Sequence, residues 1–172
     1  TELNIGHCRL LEDPNELVVL EKLSKLNMSY SYLREGLFEI CTWPRLVSLI
    51  MREVEKLSSL LHLLVENTPL LEELDLYRCN VDDKMINAIA NNCPRMRKLS
   101  IMYSPQNITN ITSIQVLERM VELNVSYTNV MDSQFFEMVK EMEHLTKLHV
   151  HGADKHLVSL YKSEIERAGR VV

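Results

Sequence analysis

Residues 71–79 read LEELDLYRC, with leucine at the first, fourth and sixth positions and a small residue at the ninth. The same frame returns along the whole chain, with other apolar side chains sometimes replacing leucine. Complete copies occupy residues 23–31, 46–54, 96–104, 120–128 and 145–153, and residues 1–8 form a copy without its first position. The fourth position is held by Leu3, Leu26, Leu49, Leu74, Leu99, Leu123 and Leu148, which are 23 to 25 residues apart. Seven evenly spaced copies predict a repeat architecture.

Each copy of the frame predicts a short strand, because its apolar residues alternate and would all face one side of a sheet. The ninth residue is small in most copies, which fits a position that turns into the interior. Between the copies the apolar residues take helical spacing. Two such segments contain Met85, Ile86, Ile89, Ala90 and Cys93, and Phe135, Phe136, Met138, Val139 and Met142. Strands of this kind, each followed by a helix, must stack in parallel as a curved solenoid.

The repeat length and pattern resemble those of leucine-rich-repeat proteins, whose units are 20–29 residues long. Residues 79–101, with Cys79, Cys93 and Pro94 at characteristic positions, resemble the cysteine-containing repeats of F-box substrate receptors and of ZYG-type cullin adaptors. The resemblance implies an α/β solenoid of about seven repeats, with a parallel sheet on the concave side and helices on the convex side. It also implies recognition of protein substrates for a cullin-type ubiquitin ligase.

The sequence predicts a single domain over residues 1–172. Residues 1–153 hold the seven repeats, and residues 154–172 form a C-terminal capping helix with Leu157, Leu160, Tyr161 and Ile165 at helical spacing. Thr1 lies at the start of a strand, so we expect an N-terminal cap or a preceding domain to be missing from this sequence.

Composition excludes several classes of function. The 172 residues include 19 Lys plus Arg against 24 Asp plus Glu, a net charge of −5, which disfavours nucleic acid and anionic membrane surfaces as partners. The 4 glycines are scattered, so no phosphate-binding loop can be drawn. The 4 cysteines form no CxxC pair, and a chain of this size needs no disulfides. We therefore expect an intracellular protein, cytoplasmic or nuclear.

The residues beside and between the buried leucines are expected to line the concave face. Three of the six tyrosines share one position of the frame, and tyrosine and arginine are common at the centres of protein interfaces. The predicted partner-binding residues are Tyr30, Arg52, Glu53, Glu73, Asp75, Tyr77, Arg78, Lys98, Tyr103, Tyr127, His149 and His151.

Metal binding and catalysis are not predicted. His149 and His151 share a strand face, but the sequence shows no acidic or cysteine ligand beside them, so no metal site is expected. Cys79 and Cys93 are interpreted as core residues. Glu73 and Asp75 on an open sheet lack the enclosed site that acid–base catalysis requires. We expect no enzyme activity, no catalytic residues and no cofactor.

Two functional hypotheses follow from the sequence. The first is an interaction module that binds a protein or peptide on its concave face, as the substrate-recognition part of a cullin-type ligase whose adaptor would bind a missing N-terminal region. The second is a structural or scaffold subunit that packs inside a larger complex through its edge or its convex helices.

Overall fold

The computed structural model describes residues 1–8, 17, 20–31, 42–54, 61–104 and 108–167. Seven strands of three residues form one parallel sheet, and their spatial order follows the sequence. The strands are β1 (Glu2–Asn4), β2 (Lys25–Asn27), β3 (Ser48–Ile50), β4 (Glu73–Asp75), β5 (Lys98–Ser100), β6 (Glu122–Asn124) and β7 (Lys147–His149). The repeated frame therefore predicted every strand of this sheet.

The register is the same at all six junctions between strands. The central leucine of each strand lies beside the central leucine of the next, as Leu74 does beside Leu99. From β2 to β7 these leucines are at most 2% exposed. A shift of one residue would turn this whole set toward solvent, so burial of the leucines sets the register.

In the described ranges, four α-helices lie on the opposite side of the core from the sheet surface. They are α1 (Leu61–Glu66), α2 (Asp83–Asn92), α3 (Ser133–Glu141) and α4 (Lys155–Arg167). The Asp82 carboxylate caps α2 by accepting from the Met85 amide at 2.9 Å, and the Asp132 carboxylate caps α3 by accepting from the Phe135 amide at 2.8 Å. The apolar residues that predicted α2 and α3 are buried. Half of each segment between the first three strands lies outside the described residues.

The segment between β5 and β6 departs most from the repeat pattern, which predicts a short or irregular helix, and it contains a short 3-10 helix, Thr112–Val116. Its isoleucines still fill the core, since Ile108, Ile111 and Ile114 are buried. Asp83, at the start of α2, also holds this segment: its carboxylate accepts from the amides of Thr109 and Asn110 at 2.8 and 3.1 Å. The irregular repeat is thus bonded to its regular neighbour.

The ninth residue of the frame is buried in four of the seven copies, and it is partly buried in the copies that end at Cys8, Thr128 and Ala153. Ser31, Cys79 and Ser104 are each at most 4% exposed, and the Ser31 hydroxyl donates to the Ile5 carbonyl at 3.0 Å. Burial raises the pKa of Cys79 and of Cys93 to about 12, so both thiols stay protonated at neutral pH. Their interpretation as core residues is confirmed.

Helix α4 follows β7 and packs on α3, where the Phe136 and Tyr161 rings stack with centroids 5.1 Å apart. Ile165 is buried, but Leu160 is 54% exposed, so the expectation that Leu160 belongs to the packed face of this helix is wrong. Successive residues are about 100° apart around a helix, and Leu160 therefore lies to one side of the stripe that contains Tyr161 and Ile165.

The strand order is linear, so the sheet is open, with its strands on the concave side of a curved solenoid and its helices on the convex side. Among the described residues, no helix has both the length and the apolar composition needed to cross a membrane.

Candidate binding surface

The residue four positions after each central leucine lies in the turn that follows the strand. We call these residues the turn row: His7, Tyr30, Glu53, Arg78, Tyr103, Tyr127 and Gly152. The six that are not glycine have φ between 52° and 63°, and Gly152 has φ 86°. The sequence assigned Tyr30, Tyr103 and Tyr127 to a column of the strand face, whereas the structure places this column in the turns.

A left-handed backbone costs a non-glycine residue about 1–2 kcal/mol, so other interactions must hold the turn row. The Tyr30 amide donates to the Arg52 carbonyl at 2.7 Å, and the Tyr127 amide donates to the His151 carbonyl at 2.7 Å. The other members of the row, up to Tyr127, make the equivalent bond to the next repeat. The ladder of backbone hydrogen bonds thus continues past the strands and fixes the row.

Side chains at the last position of several strands support the same turns. The Asn27 side-chain oxygen accepts from the Ser29 amide at 3.0 Å, and one Asp75 carboxylate oxygen accepts from the Tyr77 amide at 3.1 Å. Asn4 and Asn124 make the equivalent bond. Short side chains with an oxygen at this position stabilise the turn that presents the row.

Four residues form what we call the tyrosine cluster: Tyr77, Arg78, Tyr103 and Tyr127. The Tyr103 and Tyr127 rings stack with centroids 4.4 Å apart and an interplanar angle of 15°. Tyr77 meets Tyr103 edge to face at 5.5 Å. The Arg78 guanidinium lies 5.3 Å from the centre of the Tyr77 ring and 5.1 Å from that of Tyr103. These contacts restrict side chains that still reach solvent, since Tyr127 is 42% exposed.

Gly152 completes the cluster from the last repeat. A Cβ atom at this position would lie 2.9 Å from Cδ1 of Tyr127. The Tyr127 ring therefore lies against the backbone of Gly152 on one side and against Tyr103 on the other, which only glycine permits.

Tyr30 lies apart from the tyrosine cluster. Its ring stacks on His7, with centroids 4.5 Å apart and planes at 8°. Tyr30 is also 42% exposed. The column of tyrosines predicted from sequence is thus divided into two aromatic groups, separated along the turn row by Glu53.

The charged residues predicted for the surface are joined in pairs between neighbouring strands or turns. The Asp75 carboxylate accepts from Nε and Nη2 of Arg52 at 2.7 and 2.6 Å. Glu53 pairs with Arg78 at 3.1 Å. Because the side chains involved are partly solvated, each pair adds little stability, but the pairs hold the charges in register.

The first strand position forms a column of mostly alternating charge: Glu2, Lys25, Ser48, Glu73, Lys98, Glu122 and Lys147. The Lys98 ammonium donates to Glu73 at 2.7 Å. This hydrogen bond lowers the pKa of the Glu73 carboxyl, and the same contact raises the pKa of Lys98. A cavity of about 200 Å³ lies over β3 to β6 and is lined by residues of this column and its neighbours.

The two histidines of the last repeat have partners that the sequence did not reveal. His149 Nε2 lies 3.2 Å from a Glu122 carboxylate oxygen, and His151 Nδ1 lies 3.3 Å from the Ser126 hydroxyl. The expectation that no acidic side chain lies beside the histidines is wrong, since Glu122 comes from the neighbouring strand. Within the described ranges, no three His, Cys, Asp or Glu side chains are grouped to hold a metal ion.

The frame positions of His7, Glu122 and Gly152 predict that they lie on the concave face, but these three residues are not among the predicted partner-binding residues. The repeat spacing places Glu122 and Lys147 at the same strand position in adjacent copies, but it does not show the contact between Glu122 and His149. The roles of His7 and Gly152 depend on ring positions that a repeat pattern does not contain.

No protein-family model matches the chain, and no curated protein matches it. An internalin of Listeria monocytogenes matches 89% of this chain with a TM-score of 0.63 and 20% identity, over 48% of the internalin. TLR13 in complex with single-stranded RNA matches 83% of the chain with a TM-score of 0.52 and 16% identity, over 25% of the TLR13 chain. The chain thus spans about half the length of the internalin.

Both solved structures are leucine-rich-repeat proteins, and the open seven-stranded sheet described above has the same architecture. The fold is a leucine-rich-repeat solenoid, as the sequence predicted. At these identities the likeness concerns the fold alone.

Proposed function

We propose that this chain is a non-enzymatic protein–protein interaction module that binds a protein partner through the turn row and the adjoining strand face. The observation that carries this proposal is the tyrosine cluster, in which Tyr77, Arg78, Tyr103 and Tyr127 are stacked on one another. Large aromatic side chains held rigidly at a surface bind at low cost in conformational entropy.

Charge supports a protein partner over nucleic acid. The TLR13 structure is a complex with RNA, but the present chain carries a net charge of −5. Arg52, Arg78 and Lys98 are each paired with a carboxylate of this chain, so they form no free basic stripe for a phosphate backbone. Mixed, paired charges around an aromatic centre are typical of protein interfaces.

The test replaces the exposed rings without disturbing the core. Tyr103→Ala and Tyr127→Ala should each weaken binding of an identified partner by about 2 kcal/mol or more. Gln115→Ala is the matched control, because Gln115 is exposed on the 3-10 helix and lies outside the tyrosine cluster. Unchanged affinity of both tyrosine variants for a partner of known affinity would place binding elsewhere.

For the finer function we propose substrate recognition for a cullin-type ubiquitin ligase, in the cytoplasm or nucleus. The support is the resemblance of residues 79–101 to the cysteine-containing repeats of F-box receptors, together with the burial of Cys79 and Cys93 at the repeat positions concerned. Affinity purification of the parent chain from its native cells, followed by mass spectrometry, should recover a cullin and its adaptor. A stable assembly without any ligase component would contradict this assignment.

A scaffold function is the second candidate, and a separate observation favours it. Val116 and Leu160 are 65% and 54% exposed on the helical side of the molecule. Large apolar side chains at such exposure are candidates for a contact inside a larger complex. If the molecule is a scaffold, Leu160→Asp should release it from that complex, while Tyr103→Ala and Tyr127→Ala should not.

A further inference from the structure

The last strand, β7, leaves part of the backbone ladder without partners. At each inner junction, the amides two and four positions after the central leucine donate to the next repeat, as the Val125 amide does to the His149 carbonyl at 3.0 Å. The carbonyl two positions before the leucine accepts from the next repeat, as that of Val121 does from the Lys147 amide at 3.0 Å. In the last repeat these groups belong to Val150, Gly152 and Thr146. Throughout the described part of the chain, none of the three groups has a hydrogen-bond partner.

A groove lies along this edge. Its volume is about 510 Å³, and it runs between β7 and helix α4. Leu148, Val150 and Val158 give it an apolar wall. An extended chain placed there would find unpaired backbone groups and an apolar surface together, the combination used when a peptide adds a strand to a sheet.

The positive charge of the groove favours an acidic partner. Lys147 and Lys162 line it, together with two histidines, and one lining residue, Glu122, is acidic. Lys162 is paired with Glu166 on its own helix at 3.6 Å, so the positive charge that is open to a partner comes mainly from Lys147. Lys98, at the same position in an inner strand, lies between Glu73 and Glu122 in the charge column. Among the residues that the structure describes, Lys147 is paired only with Glu122, at 3.8 Å, so its open side matches a second carboxylate.

We propose that the β7 edge binds an extended acidic segment of a partner protein as an eighth parallel strand. The segment places a carboxylate beside Lys147, an apolar residue beside Leu148 and another beside Val150. Two inner strands already have this pattern, as ELDL at residues 73–76 and as ELNV at residues 122–125. This surface meets the tyrosine cluster at Gly152, and the proposal does not depend on the function proposed for the cluster.

A fluorescent peptide with the sequence VELNVSY, that of residues 121–127, is the probe. Anisotropy should show saturable binding to the wild-type chain. Lys147→Glu should weaken this binding about tenfold, and a VKLNVSY peptide should recover it on that variant, because the charges are exchanged. Lys155→Glu is the matched control. Lys155 is exposed on helix α4, which borders the groove, but it does not line the groove. This control should bind VELNVSY like the wild type.

Amide hydrogen exchange measured by NMR provides the backbone readout. Saturation with VELNVSY should slow exchange of the Val150 and Gly152 amides, since both acquire acceptors. The proposal is overturned by an absence of saturable binding up to about 1 mM peptide. Binding that leaves both amides unprotected and ignores Lys147→Glu also overturns it. So does protection of these amides that rises with protein concentration in the absence of peptide, because the occupant is then a second copy of this chain.

Discussion

At the scale of single residues, Gly152 is the position where the surface tolerates least change. Its φ of 86° disfavours any side chain, and a Cβ would meet the Tyr127 ring. Gly152→Ala should lower the free energy of unfolding by about 1–3 kcal/mol. In a Tyr127→Ala background the ring is gone, so the cost should fall to about 1 kcal/mol for the backbone alone. Chemical denaturation of the four proteins measures this coupling, and equal costs in both backgrounds would show that the ring does not rest on Gly152.

Asp75 also has two separable roles. One carboxylate oxygen supports the turn at Tyr77, and the other binds Arg52. Asp75→Asn keeps the turn bond, as Asn27 and Asn124 do in their own repeats, and loses only a half-exposed ion pair, so it should cost less than about 1 kcal/mol. Asp75→Ala loses both and should cost about 1 kcal/mol more. Thermal or urea unfolding compares the two variants, and equal destabilisation would mean that the turn bond contributes nothing.

At the scale of elements, helices α2 and α3 are each N-capped by one aspartate carboxylate. Asp132→Ala removes the cap of α3 and should lower stability by about 1 kcal/mol, because the Phe135 amide loses its acceptor. Asp132→Asn retains an acceptor oxygen and serves as the control. Urea unfolding of both variants tests this, and a loss of stability in Asp132→Asn as large as in Asp132→Ala would assign the effect to charge and not to capping.

The elements also show what the sequence could predict. The strands were predictable because Leu26, Leu74 and their counterparts recur at regular spacing, and all of them must be buried in the same core. Helices α2 and α3 were predictable for the same reason. The 3-10 helix at Thr112–Val116 lies in the segment whose departure from the repeat pattern predicts a short or irregular helix, and Ile108, Ile111 and Ile114 fill the core there at intervals of three residues.

The candidate surface was predictable in composition but not in geometry. Sequence spacing aligned Tyr30 with Tyr103 and Tyr127 because they share a repeat position. The sequence spacing did not predict their left-handed backbone, because turns with positive φ are usually indicated by glycine or asparagine and not by tyrosine. The pairing of Arg52 with Asp75 was hidden for a different reason: the two residues occupy different frame positions, and only side-chain geometry brings them together.

At the scale of the whole molecule, the charge column of the sheet makes stability depend on pH. The hydrogen bond from Lys98 holds the pKa of Glu73 below its ordinary 4.5, and Lys25 does the same for Glu2. A carboxyl whose pKa is lower in the folded state contributes stability above its unfolded pKa and loses it as pH falls through the folded value. The contribution of these pairs to the free energy of unfolding should therefore be level between about pH 5 and pH 9 and fall below about 4.5. Lys98→Gln should make that fall shallower in urea titrations across pH, and an unchanged profile would contradict the role of the Glu73 pair.

The surface proposed to bind a partner and the helical side lie on different faces of the solenoid, so one footprint separates the two candidate functions. Hydroxyl-radical footprinting of the chain, alone and bound to a purified partner, measures this directly by mass spectrometry. We predict that oxidation of Tyr103 and Tyr127 falls on binding, while oxidation of Val116 and Leu160 does not change. Protection of Val116 and Leu160, with Tyr103 and Tyr127 oxidised as in the free chain, would contradict binding through the tyrosine cluster.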